Sequence, residues 1–179
     1  MAGHMLIFGM GYTASIVADR LRQAGWWVTG VRRAGDAENL SFDDATGISA
    51  AIGQASHILS SVPPDRDGND PVLVRYGDAI SSTGVSWVGY LSSTGVYGDT
   101  GGAWVDESGE LNGRRAGRNM ADLAWQAIGD HVRIFRLPGI YGPGRSMFDR
   151  IRSGGAHRVD MPGQVFSRVH VEDIAGAIM

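Results

Sequence analysis

The residues best placed to do chemistry stand near the start of the chain. The apolar run Met5-Leu6-Ile7-Phe8 ends in Gly9-Met10-Gly11-Tyr12-Thr13-Ala14, a Gly-x-Gly-x-x-Ala pattern, and an amphipathic segment follows at once. This is the arrangement by which a strand hands the pyrophosphate of a dinucleotide to a helix N-terminus. Gly9 permits the tight turn out of the strand. Gly11 has no Cβ, so the backbone can close on phosphate oxygens, and small Ala14 lets the helix pack near the strand. Tyr12 and Thr13 open that helix, whose free N–H groups and partial positive charge meet the anion. An ordinary glycine-rich strand-to-helix turn has the same letters, but the context supports the cofactor. Ile16, Val17, Leu21 and Ala24 form one helix face, Gly25 stops the helix, and Trp26–Val31 reads as a second strand.

The end of that second strand bears on which cofactor binds. An NAD site usually carries Asp or Glu about 20 residues past the glycines, on the ribose 2′-hydroxyl. Here the strand ends Gly30-Val31-Arg32-Arg33, with no acid. An arginine pair can hold a 2′-phosphate by charge-assisted, bidentate hydrogen bonds. The predicted cofactor is therefore NADP rather than NAD; the plainer reading of Arg32 and Arg33 is a solvated strand end.

Composition narrows the chemistry further. A chain of 179 residues suits one domain, and a net charge of −3 gives no case for nucleic acid or a membrane surface as partner. It has no apolar run of spanning length and no secretory leader, so a soluble cytoplasmic protein with a small-molecule substrate is expected. Cysteine is absent, and the five histidines (4, 57, 131, 157 and 170) lack metal-ligand spacing, so no metal is predicted. All 16 basic residues are Arg. Without Lys there is no Schiff base, no lysine acid/base and no Walker-type phosphate lysine.

These residues must be positioned by elements that alternate along the chain. Strands are expected at 5–8, 26–31, 39–42, 57–62, 86–91 and 132–137, and helices at 12–24, 46–54, 70–83 and 114–128. The alternation predicts an α/β fold, a Rossmann-type doubly wound parallel sheet with helices on both faces. Asp70-Pro71 reads as an N-cap and first helical residue. Residues 98–113 are Gly-rich and polar and read as a loop, a flap over the site. Gly3-His4-Met5 reads as a cloning remnant, so residues 1–4 are set outside a domain spanning 5–179. His170–Met179 begins a helix and stops within it, which suggests a C-terminal substrate lobe that is mostly absent. The helix over 114–128 offers a face for a homodimer.

Three further segments complete a pattern: Leu91-Ser92-Ser93-Thr94-Gly95-Val96-Tyr97-Gly98, Arg136-Leu137-Pro138-Gly139-Ile140-Tyr141-Gly142-Pro143-Gly144, and Val169-His170-Val171-Glu172-Asp173-Ile174-Ala175. In this order, after the glycine motif, they resemble the extended short-chain dehydrogenase/reductase superfamily in its NAD-dependent epimerase/dehydratase branch. The resemblance implies a Rossmann domain followed by a smaller substrate lobe. It sets Ser93 where the family has a Ser or Thr that hydrogen-bonds the reacting carbonyl or hydroxyl; capping of the strand end by Ser92 and Ser93 is the plainer reading. It sets Asp43 on adenine, where a turn-forming Asp is equally expected. It sets Ser60, Val62 and Pro63 against the adenosine half, Ser92 among the cofactor contacts, and Leu137, Pro138 and Gly139 beside the nicotinamide. His170 and Asp173 read as structural.

The chain departs from the family where catalysis is concerned. The family's pair is Tyr-x-x-x-Lys on the helix after the flap, where Lys supports the Tyr as it moves a proton. Here that helix reads Asn112-Gly113-Arg114-Arg115-Ala116-Gly117-Arg118-Asn119-Met120-Ala121-Asp122. Matching the family's acid to Asp122 puts Arg114 and Arg118 on the pair; matching Gly-Arg puts Ala116 and Met120 there. Neither gives Tyr, and Lys is absent throughout. Tyr97 is the better substitute acid/base, ahead of Tyr141, with Arg114 or Arg118 stabilising its phenolate. Packing of both tyrosines against cofactor or flap is the simpler expectation. Two functions follow: an NADP-dependent oxidoreductase or epimerase/dehydratase acting on a sugar-like or nucleotide-linked substrate, or a non-catalytic NADP-binding sensor.

Overall fold

A computed structural model describes residues 3–157, 160, 162–163 and 165–179. Its strands are β1 (His4–Phe8), β2 (Trp27–Arg32), β3 (Asn39–Ser41), β4 (His57–Ser60), β5 (Trp87–Ser93), β6 (Val132–Leu137), β7 (Gly139–Tyr141) and β8 (Arg168–His170). Its helices are α1 (Tyr12–Gln23), α2 (Ala45–Gln54), α3 (Pro71–Ser82), α4 (Ala116–Gln126), α5 (Met147–Arg152) and α6 (Val171–Ile178), with a 3-10 turn over Thr94–Tyr97. The first six strands form one parallel sheet in the order β3-β2-β1-β4-β5-β6. The chain reverses its direction of travel across the sheet between β1 and β4, and in such sheets ligands bind in the crevice at that switch point.

The patterning explains the layers. A strand buried on both faces reads as a continuous apolar run. In β1, Leu6 and Phe8 join a core with Ile48 and Ile52 of α2, Tyr76 and Ile80 of α3, and Trp125 of α4. Met5 and Ile7 point the other way, onto Ala14, Val17 and Leu21 of α1 and Ile174 and Ile178 of α6. The expected helix start at His170–Met179 is α6, tied to α1 by an Arg20–Glu172 ion pair.

Helix starts follow their caps. Asp70 accepts from Val72 N at 2.9 Å and Leu73 N at 3.0 Å, and Pro71 opens α3 as expected. The same carboxylate accepts from Trp125 Nε1 at 2.8 Å, and burial raises the Asp70 pKa. Asp44 caps α2 through Gly47 N at 2.9 Å.

Several expectations need correction. His4 is the first residue of β1, stacked on Trp27 and 2.9 Å from Thr29 Oγ1, so it lies inside the fold. Met1 and Ala2 of the predicted remnant lie outside the described residues. Strand β4 ends at Ser60 rather than 62, ahead of Pro63 and Pro64, and β5 runs on to Ser93. The parallel pair β7–β8 and helix α5 lie outside the predicted elements. Ser146 and Asp149 form a capping box at α5, a Ser-x-x-Asp signal that periodicity alone overlooks. Among the described residues no helix is long and apolar enough to cross a membrane, and no group of three His, Cys, Asp or Glu is placed to hold a metal.

Candidate cofactor and active site

The β1–α1 turn has two glycines with different reasons to be glycine. Gly9 has φ +86°, and a Cβ there would lie 2.9 Å from both Ser61 Oγ and Val62 Cγ2. Its N–H donates to Val31 O at 3.0 Å, while its carbonyl accepts from Ser61 Oγ at 2.5 Å. The turn is thus locked between β2 and the end of β4. Gly11 has φ −96°, which any residue can adopt, and a Cβ there would meet only Gly9 O, at 3.9 Å. Sterically, the fold gives no reason for glycine at 11. Close approach by a ligand does. Helix α1 also starts without a side-chain cap or an acid in its first turn, so its leading N–H groups face outward without protein partners of that kind. These features fit a dinucleotide pyrophosphate.

The other residues expected at the cofactor are distributed unevenly. Ala14 and Thr13 are buried against the sheet, so Thr13 offers backbone rather than side chain. Tyr12 turns outward, donates from its hydroxyl to Pro143 O at 3.0 Å, and lies beneath the Arg145 guanidinium, 5.5 Å from the ring centre. It links the glycine turn to the segment after β7. Arg32 pairs with Asp36 at 3.1 Å, whereas exposed Arg33 has no ion pair among the described residues. Asp36 corrects the reading that no acid stands near this strand end. Its carboxylate accepts from Glu38 N, Asn39 N and Asn39 Nδ2, and these donors, that of Glu38 foremost, lower its pKa. Asp43 is bound by Arg75 at 2.5 Å, and Arg75 stacks over Phe42 and Tyr76. Ser60 is fully buried, so Val62 and Pro63 stand nearer the open edge.

At the far half of the sheet edge the polar groups hold one another. Asp122 of α4 is completely buried and accepts from Ser92 Oγ at 2.6 Å, Gln126 Nε2 at 2.6 Å, and Arg136 Nε and Nη2 at 3.2 and 3.0 Å. Arg136 Nη1 donates to Tyr97 OH at 3.0 Å and to the Glu107 carbonyl at 3.1 Å. One guanidinium from β6 therefore ties together α4, the 3-10 turn and the flap loop, and its hydrogen bonds to Asp122 raise its pKa further. The cation at Tyr97 is Arg136, not Arg114 or Arg118. A charged residue in a half-buried strand was the signal for it. Ser93 Oγ accepts from Gly95 N at 3.1 Å and caps the turn, as the plainer reading expected, yet its O–H remains able to donate outward. Asn119 of α4 donates to the Leu111 and Gly113 carbonyls at 3.0 and 3.2 Å, strapping down the end of the flap.

Beyond β6, Leu137 and Pro138 lead into Gly139, whose N–H donates to Ser167 O at 3.2 Å. Gly139, Tyr141, Arg145, Phe148, Arg150 and Arg168 line a cavity of about 870 Å³. Tyr141 packs edge-on against His170, and His170 caps α6 through Glu172 N at 3.3 Å, the structural role expected of it.

No protein-family model matches the chain. A conserved protein of unknown function from Silicibacter pomeroyi DSS superposes with a TM-score of 0.83 and 41% identity, over 99% of this chain and 67% of that one. The chain belongs to the same family. The fold is shared with structures of NAD-dependent epimerase/dehydratases, the branch that the order of motifs resembles. A candidate NAD-dependent epimerase/dehydratase from Methylobacillus flagellatus has a TM-score of 0.73 at 24% identity, covering 99% of this chain and 69% of that one. MoeE5, solved with UDP-glucuronic acid and NAD, has a TM-score of 0.76 at 24% identity, covering 98% and 71%.

Proposed function

We propose that this chain binds a nicotinamide dinucleotide across the β1–β4 switch point, NADP in preference to NAD, and serves an oxidoreductase or epimerase/dehydratase reaction on a sugar-like or nucleotide-linked substrate. The observation that carries the cofactor reading is Gly11: the fold leaves it sterically free, at a helix start without a cap. Gly9, Gly11 and the first turn of α1 would hold the pyrophosphate, with Val62, Pro63 and Asp43 on the adenosine side and Leu137–Gly139 beside the nicotinamide. Arg33, without an ion-pair partner among the described residues, is the better ligand for a 2′-phosphate; Arg32 joins it when it lets go of Asp36. The bound dinucleotide would supply hydride chemistry. The chain's own part is to orient the substrate through the free O–H of Ser93 and, through Tyr97, to hold a proton near it. Exposed Met120 and Leu123 on α4 support a homodimer through that helix.

The second reading, a dinucleotide-binding sensor without turnover, is favoured by one observation: Ser92, Tyr97, Asp122 and Arg136 already satisfy each other. Titration with both cofactors tests the first claim. NADP should bind at least tenfold more tightly than NAD, and Arg33→Ala should remove most of that margin; equal affinities unaffected by Arg33→Ala would end the NADP reading. Absorbance at 340 nm with a panel of nucleotide sugars then separates enzyme from sensor.

A further inference from the structure

The flap over residues 98–113 and helix α5 both follow strands that end at the same sheet edge, and each shows solvent a surface that a folded chain normally covers. Trp104 is 101% exposed, and Val105 beside it is also exposed. In α5 no residue is buried, and Met147, Phe148 and Ile151 all stand in solvent. Single exposed apolar residues are ordinary, whereas clusters of them mark contact surfaces.

The two surfaces are opposite in charge. The flap holds Asp99, Asp106, Glu107 and Glu110 and no basic residue. Cations flank it: Arg136 holds the Glu107 carbonyl rather than its carboxylate, and Arg114 and Arg115 follow the loop. Among the described residues no ion pair joins these arginines to a flap carboxylate. The cavity against α5 is lined by Arg145, Arg150 and Arg168, and its one lining acid, Asp149, is engaged by Ser146 and Arg152. On the neighbouring stretches stand Asp160, Asp173 and Glu172, the last paired with Arg20. Arg145, Arg150 and Arg168 have no ion pair among the described residues.

The root of the flap is fixed beside that cavity. Arg136 Nη1 donates to the Glu107 carbonyl at 3.1 Å, and a Cβ on Gly98 would collide with the Asn112 carbonyl. Arg136 stands three residues before Gly139, where the cavity lining begins, a span of at most about 11 Å of chain. Trp104 stands three residues before Glu107. The tip is a preformed turn: Ala103 N donates to the Thr100 carbonyl, and Thr100 Oγ1 to the Ala103 carbonyl, both at 3.1 Å. Gly101 and Gly102 in that turn have positive φ and open space around them. A pinned root with an unobstructed tip is how a lid is built.

We propose that the flap is a lid whose seat is the α5 cavity: Trp104 and Val105 pack on Met147 and Phe148, the flap acids face Arg145 and Arg150, and the closed lid covers Ser93 and Tyr97. That the lid shields a reaction from water rests on the proposed function; the closure itself does not. The chain has no cysteine, so a pair of introduced thiols reports the contact directly. Val105→Cys is combined with Ser153→Cys, which lines the cavity, and treated with a short bismaleimide. The control pairs Val105→Cys with Trp27→Cys, at the exposed opposite edge of the sheet. Cross-linking within one chain should run about tenfold faster for the first pair than for the control, because closure raises the local thiol concentration. Arg145→Glu with Arg150→Glu should slow it about fivefold, and added salt should slow it too. Trp104→Ala in the same background should slow it without a change in salt dependence. A rate within twofold of the control, links formed only between chains, or indifference to the charge reversal would overturn the proposal. No cofactor enters the experiment, so failure of NADP to bind would end the cofactor reading and leave the closure decided on its own.

Discussion

The two halves of the sheet's C-terminal edge are built on opposite plans. Around β1 and β2 the backbone is locked from behind, by Ser61 on the Gly9 carbonyl, while the groups facing outward have little to hold: Gly11 is open, α1 has no side-chain cap, and Arg33 has no ion pair among the described residues. Around β5 and β6 the side chains are engaged with one another through Asp122 and Arg136. A surface prepared for a ligand keeps its donors free. A surface that supports the fold saturates them. The contrast directs a test of binding to the β1–β2 half and a test of the reaction to Ser93 and Tyr97, not to a Tyr–Lys pair.

The sharpest way to break this contrast is to cut the saturated half. Arg136→Met leaves the Asp122 carboxylate buried without its cation, which destabilises proteins by about 3–5 kcal/mol. Urea denaturation should show a loss of that size and proteolysis should open the flap near Glu107, whose carbonyl Arg136 holds. A double change that also replaces Asp122 with Leu should recover part of the loss. If Arg136→Met keeps its stability and loses only activity, the half is catalytic, not structural. Next in size is Gly9→Ala. It forces a side chain to φ +86° against Ser61 and Val62 and should cost about 1–3 kcal/mol. Gly11→Ala should cost no more than about 1 kcal/mol, the price of a poorer N-cap, yet weaken dinucleotide binding at least as much as Gly9→Ala. Equal stability losses at the two positions would erase the distinction drawn between them.

Tyr97→Phe is the finer cut. It removes one acceptor of Arg136 Nη1, which keeps the Glu107 carbonyl, so a loss of about 0.5–1.5 kcal/mol is expected, with NADP affinity intact. Should Tyr97→Phe also abolish a measured turnover, the hydroxyl is an acid/base as well as a strut.

The same division governs what could be read in the sequence. The glycine turn, the six strands and four helices of the main sheet, and the Asp70-Pro71 helix start follow from local rules: periodicity, a cap, a glycine with positive φ. The partners of Arg136 lie between 14 and 39 residues from it, as in Arg136–Asp122 and Arg136–Tyr97, and no periodicity announces them. Order along the chain points to Arg114 and Arg118, on the helix where the resemblance sets catalysis, as cations for Tyr97; the sheet instead brings Arg136 across from the next strand. Asp36 is hidden in the sequence for a related reason. It stands four residues past Arg32, and only the turn formed by Glu38 and Asn39 on its carboxylate folds it back.

Asp36 gives the smallest test, and it probes the binding half itself. The N–H groups of Glu38 and Asn39, with Arg32 alongside, hold its pKa below the ordinary carboxylate value, so it keeps its charge at neutral pH. That charge contributes stability above the unfolded carboxylate value and loses it only as the pH falls through the lower folded value. Near neutrality Asp36 therefore opposes a 2′-phosphate and occupies Arg32. In Asp36→Asn the side-chain oxygen still accepts from the turn, but Arg32 is released. An exposed pair of this kind is weak, so the affinity gain should stay within about fivefold. NADP should tighten by that margin, NAD should not change, and added salt should shrink the difference. Tightening of both cofactors alike would move the 2′-phosphate away from Arg32 and leave Arg33 to bind it alone.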